Sequence, residues 1–403
     1  MPTIETLTPQ PGRADAAGLR AYDADLLVRC AVDPAQPWWR RTACVEALAG
    51  RVPRAGLGEL LACVRDTAGS GTVRRALLVL LSDRAELLPW LRHEDRLRET
   101  SYGMPQAVLR ARAALGDRTA AAGLATLAFS PWQTDRAVGE AGLDALADRY
   151  GAEAVLGRLD GGRPEDRAVA VRMRHRGGED VTGALADPDP QVAHLAQSLL
   201  TCPDQVRAYL TGAPTADARL WAAYALQRLT GDVAGTRAVY EALGRPRVEV
   251  DGLDEELRRA IVHRYGHTCE KQSDPRWRVE ALCTEPPPAP DEEEQLALAV
   301  AALSAAGLAP RPPLSCGEAN RQGGGTYHVI GYRGDGSEVL ISTLGRFAGD
   351  HDEDPAARAA LEAAGFRWID AATGSVRVTD LGVYHFGSRQ PLDVQTLLFY
   401  WQD

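Results

Sequence analysis

Apolar residues recur at helical spacing through residues 187–232. Val192, Leu195 and Leu199 lie on one stripe of a first helix, and a second helix, PDQVRAYL, follows after a short break. The first pattern then restarts at Asp217. A helical hairpin of this size cannot bury its own apolar face, so it must stack on its neighbours. The pattern therefore predicts a helical repeat architecture.

The same alternation of helices and turns continues in both directions along the chain, at a spacing of roughly 25–35 residues that is typical of helical-hairpin repeats. Pro or Asp opens many of the first helices, and Gly follows several helices, as expected for helix starts and ends. The predicted first helices are 39–49, 72–81, 106–115, 136–147, 165–174, 190–200 and 217–229. The predicted second helices are 57–65, 86–92, 120–127, 152–159, 181–186, 203–210 and 235–243.

The pattern D-P-x-x-x-V-R-x-x-A-x-x-A-L recurs in approximate form in the chain. It resembles the HEAT-like repeat in the short form first associated with phycobilin lyases. The segments that carry the resemblance are GTVRRALLVLL (71–81), DPDPQVAHLAQSLL (187–200), TADARLWAAYALQRL (215–229) and DPRWRVEAL (274–282). The resemblance implies a solenoid that serves as a scaffold or a partner-binding surface, and it is nearly silent on chemistry. A non-repetitive helical bundle would show similar helices and is the alternative.

The helical pattern becomes irregular after Pro246, and the segment TEPPPAPDEEE interrupts it with prolines that cannot join a helix interior. Beyond this segment, 326–332 and 338–344 alternate like strands. The predicted fold class is therefore mostly α, with a HEAT-like α-solenoid followed by a small C-terminal α+β domain with an antiparallel sheet. The predicted parts are a loose leader at 1–19, the solenoid at 20–283, a Pro/acidic linker at 284–294 and the α+β domain at 295–403.

Charge is distributed unevenly over the 403 residues. Residues 284–403 carry 8 basic and 17 acidic side chains, a net charge of −9, so residues 1–283 carry a net charge of only −1. A nearly neutral solenoid does not favour nucleic acid as a partner, although a local basic strip would still permit it. Basic residues are almost all arginine, since Lys271 is the single lysine, and this skew is typical of a GC-rich genome.

The chain shows no targeting or membrane signal. No apolar run approaches the ~20 residues that cross a bilayer, and the N-terminal residues lack the basic and apolar regions of a secretion signal. The 7 cysteines are odd in number and scattered, which does not favour a disulfide framework. We therefore expect a cytoplasmic protein with no membrane partner.

Arginines recur on the second helices, which usually line the concave surface of such a solenoid. They are Arg65, Arg92, Arg158, Arg207 and Arg237. A ladder of guanidinium groups suits an acidic peptide or protein partner. The alternative is a solvated face with local Asp/Glu pairing, and the chain's own acidic linker, 291–294, could also fold back onto this surface.

Tryptophans in the repeat region suggest an enzymatic alternative. HEAT-like alkylpurine DNA glycosylases of the AlkD type use aromatic residues and an aspartate on the concave face to hold a damaged nucleotide. Trp132 with Asp135, and Trp221 further along, faintly resemble that arrangement. The spacing matches poorly, no basic surface for a DNA backbone is evident, and Trp221 fits the core stripe equally well.

Two further sets of residues have chemistry-bearing side chains. Cys316 lies in a polar loop and could pair with a histidine (328, 351 or 385) as a thiol–imidazole couple, although no family signature surrounds it. His263, His267, Cys269 and Cys283 have zinc-compatible side chains, but a Cys-x2-Cys pair is missing, and we expect no metal. Three consecutive glycines, 323–325, precede a strand rather than a helix and are not followed by lysine, unlike a phosphate loop.

The interpretation that follows is a non-catalytic scaffold that binds a macromolecule through the concave solenoid surface, with an inhibitor, immunity or regulatory role as concrete versions. We expect a protein or an acidic peptide as the partner, and neither cofactor nor metal. The alternatives are an AlkD-like glycosylase and a thiol enzyme at Cys316.

Overall fold

The computed structural model of the protein describes residues 2–267, 273–321, 323–334, 336–350 and 354–402. The chain divides into two compact units, Met1–Arg174 (unit 1) and His175–Asp403 (unit 2). One helix, Pro164–Arg176, contains the point of division. Among the described residues, no helix combines the length and the apolar content that crossing a bilayer requires.

Unit 1 is helical, and its successive helices pack against one another around a common set of buried leucines, valines and alanines. Its α-helices before Pro164 are Ile4–Leu7, Ala16–Arg20, Ala24–Val32, Trp38–Ala47, Leu57–Arg65, Gly71–Leu80, Leu88–Leu91, Met104–Ala114, Ala121–Ala128, Gln133–Tyr150 and Ala152–Leu156. Short 3-10 turns occur at Ala85–Leu87, Glu94–Arg96 and Arg118–Ala120.

The closest helix pair of unit 1 depends on a glycine. Gly139, in the middle of Gln133–Tyr150, faces the helix Ala121–Ala128 so closely that an added Cβ would lie 2.3 Å from the backbone nitrogen of Ala128. Only a residue without a side chain allows this approach. The helices predicted at 120–127 and 136–147, which belong to neighbouring predicted hairpins, are therefore present and tightly packed against each other.

Unit 2 begins with more helices of the same kind. Pro190–Leu199 and Ala216–Thr230 each open on a side-chain cap: Asp189 accepts from the backbone nitrogens of Gln191 and Val192, and Thr215 accepts from that of Ala218. The α-helices of unit 2 are Pro190–Leu199, Pro203–Gly212, Ala216–Thr230, Val233–Ala242, Glu255–Ile261, Arg276–Cys283, Glu292–Ala305, Cys316–Asn320, Pro355–Ala363, Ala371–Gly374 and Val394–Leu398. A 3-10 helix, Thr182–Ala186, stands where a second helix was predicted, and a π-helical segment, Val262–Gly266, continues Glu255–Ile261.

The C-terminal part of unit 2 contains a five-stranded sheet and two small ribbons. The order in the larger sheet is Leu314–Ser315, Tyr327–Tyr332, Ser337–Ser342, Phe347–Gly349 and Arg367–Trp368. Its neighbours are antiparallel except for the last pair, which is parallel. The two antiparallel ribbons are Gly324–Gly325 with Trp401–Gln402, and Arg377–His385 with Ser388–Asp393.

Successive strand residues point to opposite sides of the larger sheet, and apolar residues on both sides are buried. Ile330 and Ile341 pack with the helices Glu292–Ala305 and Pro355–Ala363. Val329 and Leu340 face the other way, into a core that they share with Trp277 and with residues of the C-terminal ribbon. The sheet is therefore enclosed between two helical layers of the same unit.

The core that contains Trp277 extends across the predicted linker. Glu255–Ile261 and Arg276–Cys283, which the repeat pattern assigned to the solenoid, contribute buried residues to the same cluster as the strands. Within 284–294, Glu285 is bonded to Arg237, and Asp291 caps the helix that begins at Glu292. The predicted boundaries at 283 and 295 stay predictions, but hydrophobic packing connects the two sides of that segment.

The predicted fold class, mostly helical with a small C-terminal α+β region, is confirmed. Several predicted helices agree closely with the structure, among them Leu57–Arg65 and Pro190–Leu199. The connection between the strands predicted at 326–332 and 338–344 includes residue 335, which lies outside the described residues. Residues 394–401 form a short helix, Val394–Leu398, and the start of a final strand.

Candidate functional site

Of the five arginines predicted on second helices, Arg65, Arg207 and Arg237 lie on helices, whereas Arg92 follows Leu88–Leu91 and Arg158 lies in the turn after Ala152–Leu156. The five differ in how strongly the protein holds them. Arg65 donates to the Glu86 carbonyl oxygen at 3.1 Å. Arg207 pairs with Asp204, both largely exposed, and the partly exposed Arg237 pairs with the exposed Glu285. Arg158 is exposed and forms no ion pair or hydrogen bond through its side chain with any residue that the structure describes.

Arg92 differs from the other four because its partner is buried. Its Nε and Nη2 donate to the two carboxylate oxygens of Asp117, at 3.2 and 3.0 Å, and the Asp117 side chain is only 1% exposed. Arg112 and Thr119 also donate to this carboxylate. Burial opposes ionisation, but the hydrogen bonds from Arg92, Thr119 and Arg112 outweigh it and hold the pKa of Asp117 well below its usual range. Arg92 is therefore a structural residue.

Two residues of the glycosylase alternative, Trp221 and Asp135, are held by contacts within the fold. Trp221 is 2% exposed, with its ring against those of His194 and Tyr224, so it cannot stack on a nucleotide while the helix is folded. Asp135 accepts from Ser130 Oγ and Gln106 Nε2, close to the half-buried Trp132 that caps the same helix. Trp132 and Asp135 belong to unit 1 and Trp221 to unit 2.

Cys316 is buried rather than accessible in a polar loop. It is 3% exposed at the first position of a short helix that Ser315 opens with a capping box. His328 lies opposite Ser315 in the sheet, but its Nε2 is directed to Glu292, 3.5 Å away. Among the described residues no histidine is hydrogen-bonded to Cys316, and His351 lies outside them. The described geometry therefore gives a thiol mechanism no general base.

Two members of the zinc-compatible set, His263 and His267, are neighbours, with ring centroids 6.0 Å apart. His263 Nε2 lies 3.0 Å from Thr284 Oγ1, and burial, reinforced by the nearby positive groups, lowers the pKa of this imidazole. Cys283 is buried, and burial raises its pKa to about 11. Cys269 lies outside the described residues, and the residues within them form no cluster of three potential metal ligands.

A cavity that the sequence did not indicate lies in the C-terminal part of unit 2. Its volume is about 650 Å³, within the range of small-molecule sites. The helix Glu255–Ile261, the proline segment 287–290 and the strand connection 344–347 form its walls. Apolar lining comes from Ala260, Leu344, Phe347 and the prolines, and charged lining comes from Glu255, Glu256, Arg259, Asp291, Arg346 and Arg367.

Several charges on the cavity wall are held by partners. Arg367 binds Asp254 and Glu256 together, and these hydrogen bonds raise its pKa despite partial burial. Glu255 accepts from Arg247 at 3.0 Å. These contacts fix the shape of the wall. They also occupy hydrogen-bonding groups of Arg367 and Glu255 that a ligand would otherwise use.

The signal that could have revealed this cavity is the segment TEPPPAPDEEE, which the sequence presents only as a break between domains. Its prolines supply an extended wall, and its first acidic residue after the prolines, Asp291, reaches the rim. Arg259 stands 32 positions earlier on a helix. Only tertiary packing brings these residues together, so helical or strand periodicity cannot predict their proximity.

The sequence matches no family model, and neither the search of curated proteins nor the search of solved structures finds a match.

Proposed function

We propose that this protein is a non-catalytic, HEAT-like binding scaffold that works in the cytoplasm and holds an acidic segment of a protein partner. The observation that carries the proposal is the contact between Arg237 and Glu285, 2.7 Å apart, with side chains 41% and 75% exposed. A glutamate of the predicted linker thus occupies one of the second-helix arginines, as a carboxylate of a partner would.

The energetics of exposed ion pairs support such an exchange. A pair between solvent-exposed side chains contributes about 0–1 kcal/mol, so a partner's carboxylate can replace the internal one at little cost. Arg207 and Arg237 meet this condition, and Arg158 has no internal carboxylate to displace among the described residues. Arg92 does not meet it, because its release would leave the buried Asp117 with Arg112 as its one remaining ion-pair partner among the described residues.

The glycosylase and the thiol enzyme remain alternatives without a specific supporting observation. The burial of Trp221 removes one of the three residues on which the first depends. The burial of Cys316 and the orientation of His328 towards Glu292 do not favour the second.

Binding of labelled acidic peptides, compared with peptides in which Gln and Asn replace Glu and Asp, tests the proposal by fluorescence anisotropy. We expect Arg207→Gln and Arg237→Gln each to weaken binding by about two- to fivefold, the range of single exposed ion pairs. The matched control is Arg358→Gln, which removes an exposed arginine paired with Glu362 elsewhere in unit 2. Equal binding of acidic and neutral peptides, or preferential capture of nucleic acid from an extract of the native host, contradicts the proposal.

A further inference from the structure

The cavity in unit 2 presents two charges that the protein does not neutralise. The lining residue Arg259 is exposed and forms no side-chain hydrogen bond or ion pair with a described residue. Asp291, which also lines the cavity, accepts from the backbone nitrogen of Glu294 through Oδ1 and has no ion-pair partner in the described part of the chain. One wall therefore offers guanidinium donors, and another offers a carboxylate acceptor.

The other charged lining residues are engaged in pairs of opposite sign. Glu256 is bound by Arg367, Glu255 by Arg247, and Arg346 lies 3.8 Å from Glu294. A polyanion such as nucleic acid would meet Glu255, Glu256 and Asp291 and be repelled, whereas a simple cation would leave Arg259 without a partner. A ligand with one negative and one positive group matches both free charges.

The apolar lining residues favour a ligand whose uncharged part is also apolar. Leu344, Phe347 and the rings of Pro287 and Pro290 provide apolar surface between the charged groups. Sites for small molecules typically combine such a surface with a few polar groups that fix orientation. The helix that carries Arg259 continues into the π-helical segment Val262–Gly266, and π-helical turns occur frequently at functional sites.

We propose that this cavity binds a small zwitterion of the amino-acid type with an apolar side chain. Its carboxylate is held by Arg259, its ammonium group by Asp291, and its side chain lies against Leu344, Phe347 and the prolines. This site is separate from the second-helix arginines, and the inference does not depend on the proposed scaffold function.

Calorimetric titration of the full chain with L-leucine and L-phenylalanine tests the assignment. N-acetylation removes the ammonium charge and amidation removes the carboxylate, so each modification should weaken binding by about tenfold or more, the effect of one charge-assisted hydrogen bond. Glycine should also bind at least about tenfold more weakly, because it has no apolar side chain to bury.

Two variants connect each ligand group to its residue. Arg259→Gln should remove the difference between the free amino acid and its amide, and Asp291→Asn should remove the difference between the free amino acid and its N-acetyl form. Asparagine is a good N-cap, so the second variant keeps the helix that begins at Glu292. Arg358→Gln, which removes a surface arginine paired with Glu362 outside the cavity, is the control and should leave every affinity unchanged.

Three results would overturn the inference. One is the absence of binding by both amino acids at ligand concentrations up to about 10 mM, the weak limit of specific recognition. Another is tighter binding of the N-acetyl or amide form than of the zwitterion. The last is unchanged selectivity in Arg259→Gln and Asp291→Asn when circular dichroism shows that both variants are folded.

Discussion

Buried polar contacts connect near neighbours in unit 1 and distant segments in the C-terminal part of unit 2. In unit 1, Arg74 with Glu99 and Arg92 with Asp117 each join residues 25 positions apart, about one repeat. In unit 2, the Tyr265 hydroxyl donates to the Leu397 carbonyl oxygen across 132 positions. The same kind of contact thus stacks successive hairpins in one region and closes a non-local core in the other.

This difference has an energetic consequence. When contacts are local, the loss of one contact disturbs a hairpin and its neighbours, as in repeat proteins whose stability is a sum of nearest-neighbour terms. When contacts span more than a hundred positions, one polar group secures several elements at once. We therefore expect the largest effects of single substitutions in the shared core of unit 2.

The largest expected effect is that of Glu280→Gln, whose bond to Arg258 spans only 22 positions but is buried beside Trp277 in the shared core of unit 2, so burial rather than range sets its size. Glu280 and Arg258 are both buried and form two hydrogen bonds of 2.6 Å, and the guanidinium also stacks on Trp277. Removal of the carboxylate leaves a buried charge without compensation, which typically costs about 3–5 kcal/mol. Chemical denaturation of the full chain measures the free energy of unfolding.

The control for Glu280→Gln is Glu285→Gln, which removes the exposed partner of Arg237 and should cost no more than about 1 kcal/mol. Similar losses in the two variants would show that the Arg258–Glu280 pair adds nothing through its burial. The proposed distinction between the non-local core and the surface of unit 2 would then have no energetic basis.

A smaller effect is expected for Asp117→Asn in unit 1. The substitution removes the acceptor for Arg92 and Arg112, but Arg92 is about half exposed and can be hydrated instead. The loss of charged hydrogen bonds around one buried site is worth about 2–3 kcal/mol. Asp204→Asn, which breaks an exposed pair with Arg207, is the matched control and should change stability little. A loss larger than that of Glu280→Gln would reverse the ranking of the two regions.

The same residue predicts a pH dependence of stability. Because the folded-state pKa of Asp117 is lowered, its ionised form stabilises the fold above the unfolded-state pKa of about 4. This contribution is lost as the pH falls from about 4 towards the lowered pKa. The difference in unfolding free energy between the wild type and Asp117→Asn should therefore be largest above about pH 4 and shrink on acidification. A difference that is constant between about pH 7 and pH 2 would contradict the assignment.

The range of the contacts also explains what could be predicted from the sequence. The helix at 57–65 was predicted to the residue, and that at 190–200 within one residue, because apolar spacing and caps are local features. The π-helical segment Val262–Gly266 has no local signature of that kind. Arg259 and Asp291 line one cavity because the proline segment and a helix pack together, and the sequence contains no periodic trace of that packing.

Thiol alkylation should leave the fold intact. The alkylation rate of a buried cysteine measures how often the region around it opens to the reagent. Burial raises the pKa of Cys283 in unit 2 to about 11, and hydrogen bonding to Cys30 together with burial raises that of Cys44 in unit 1. Relative to an ordinary thiol, a pKa of about 11 reduces the thiolate fraction by about 300-fold. Exposed Cys202 should thus react with iodoacetamide at least about 100-fold faster than Cys283, as followed by peptide mapping, and urea should abolish the difference. If Cys44 reacts faster than Cys283, the locally connected hairpins open more often than the non-local core. The opposite order would mean that long-range contacts close the core of unit 2 less completely than contacts between neighbouring helices close unit 1.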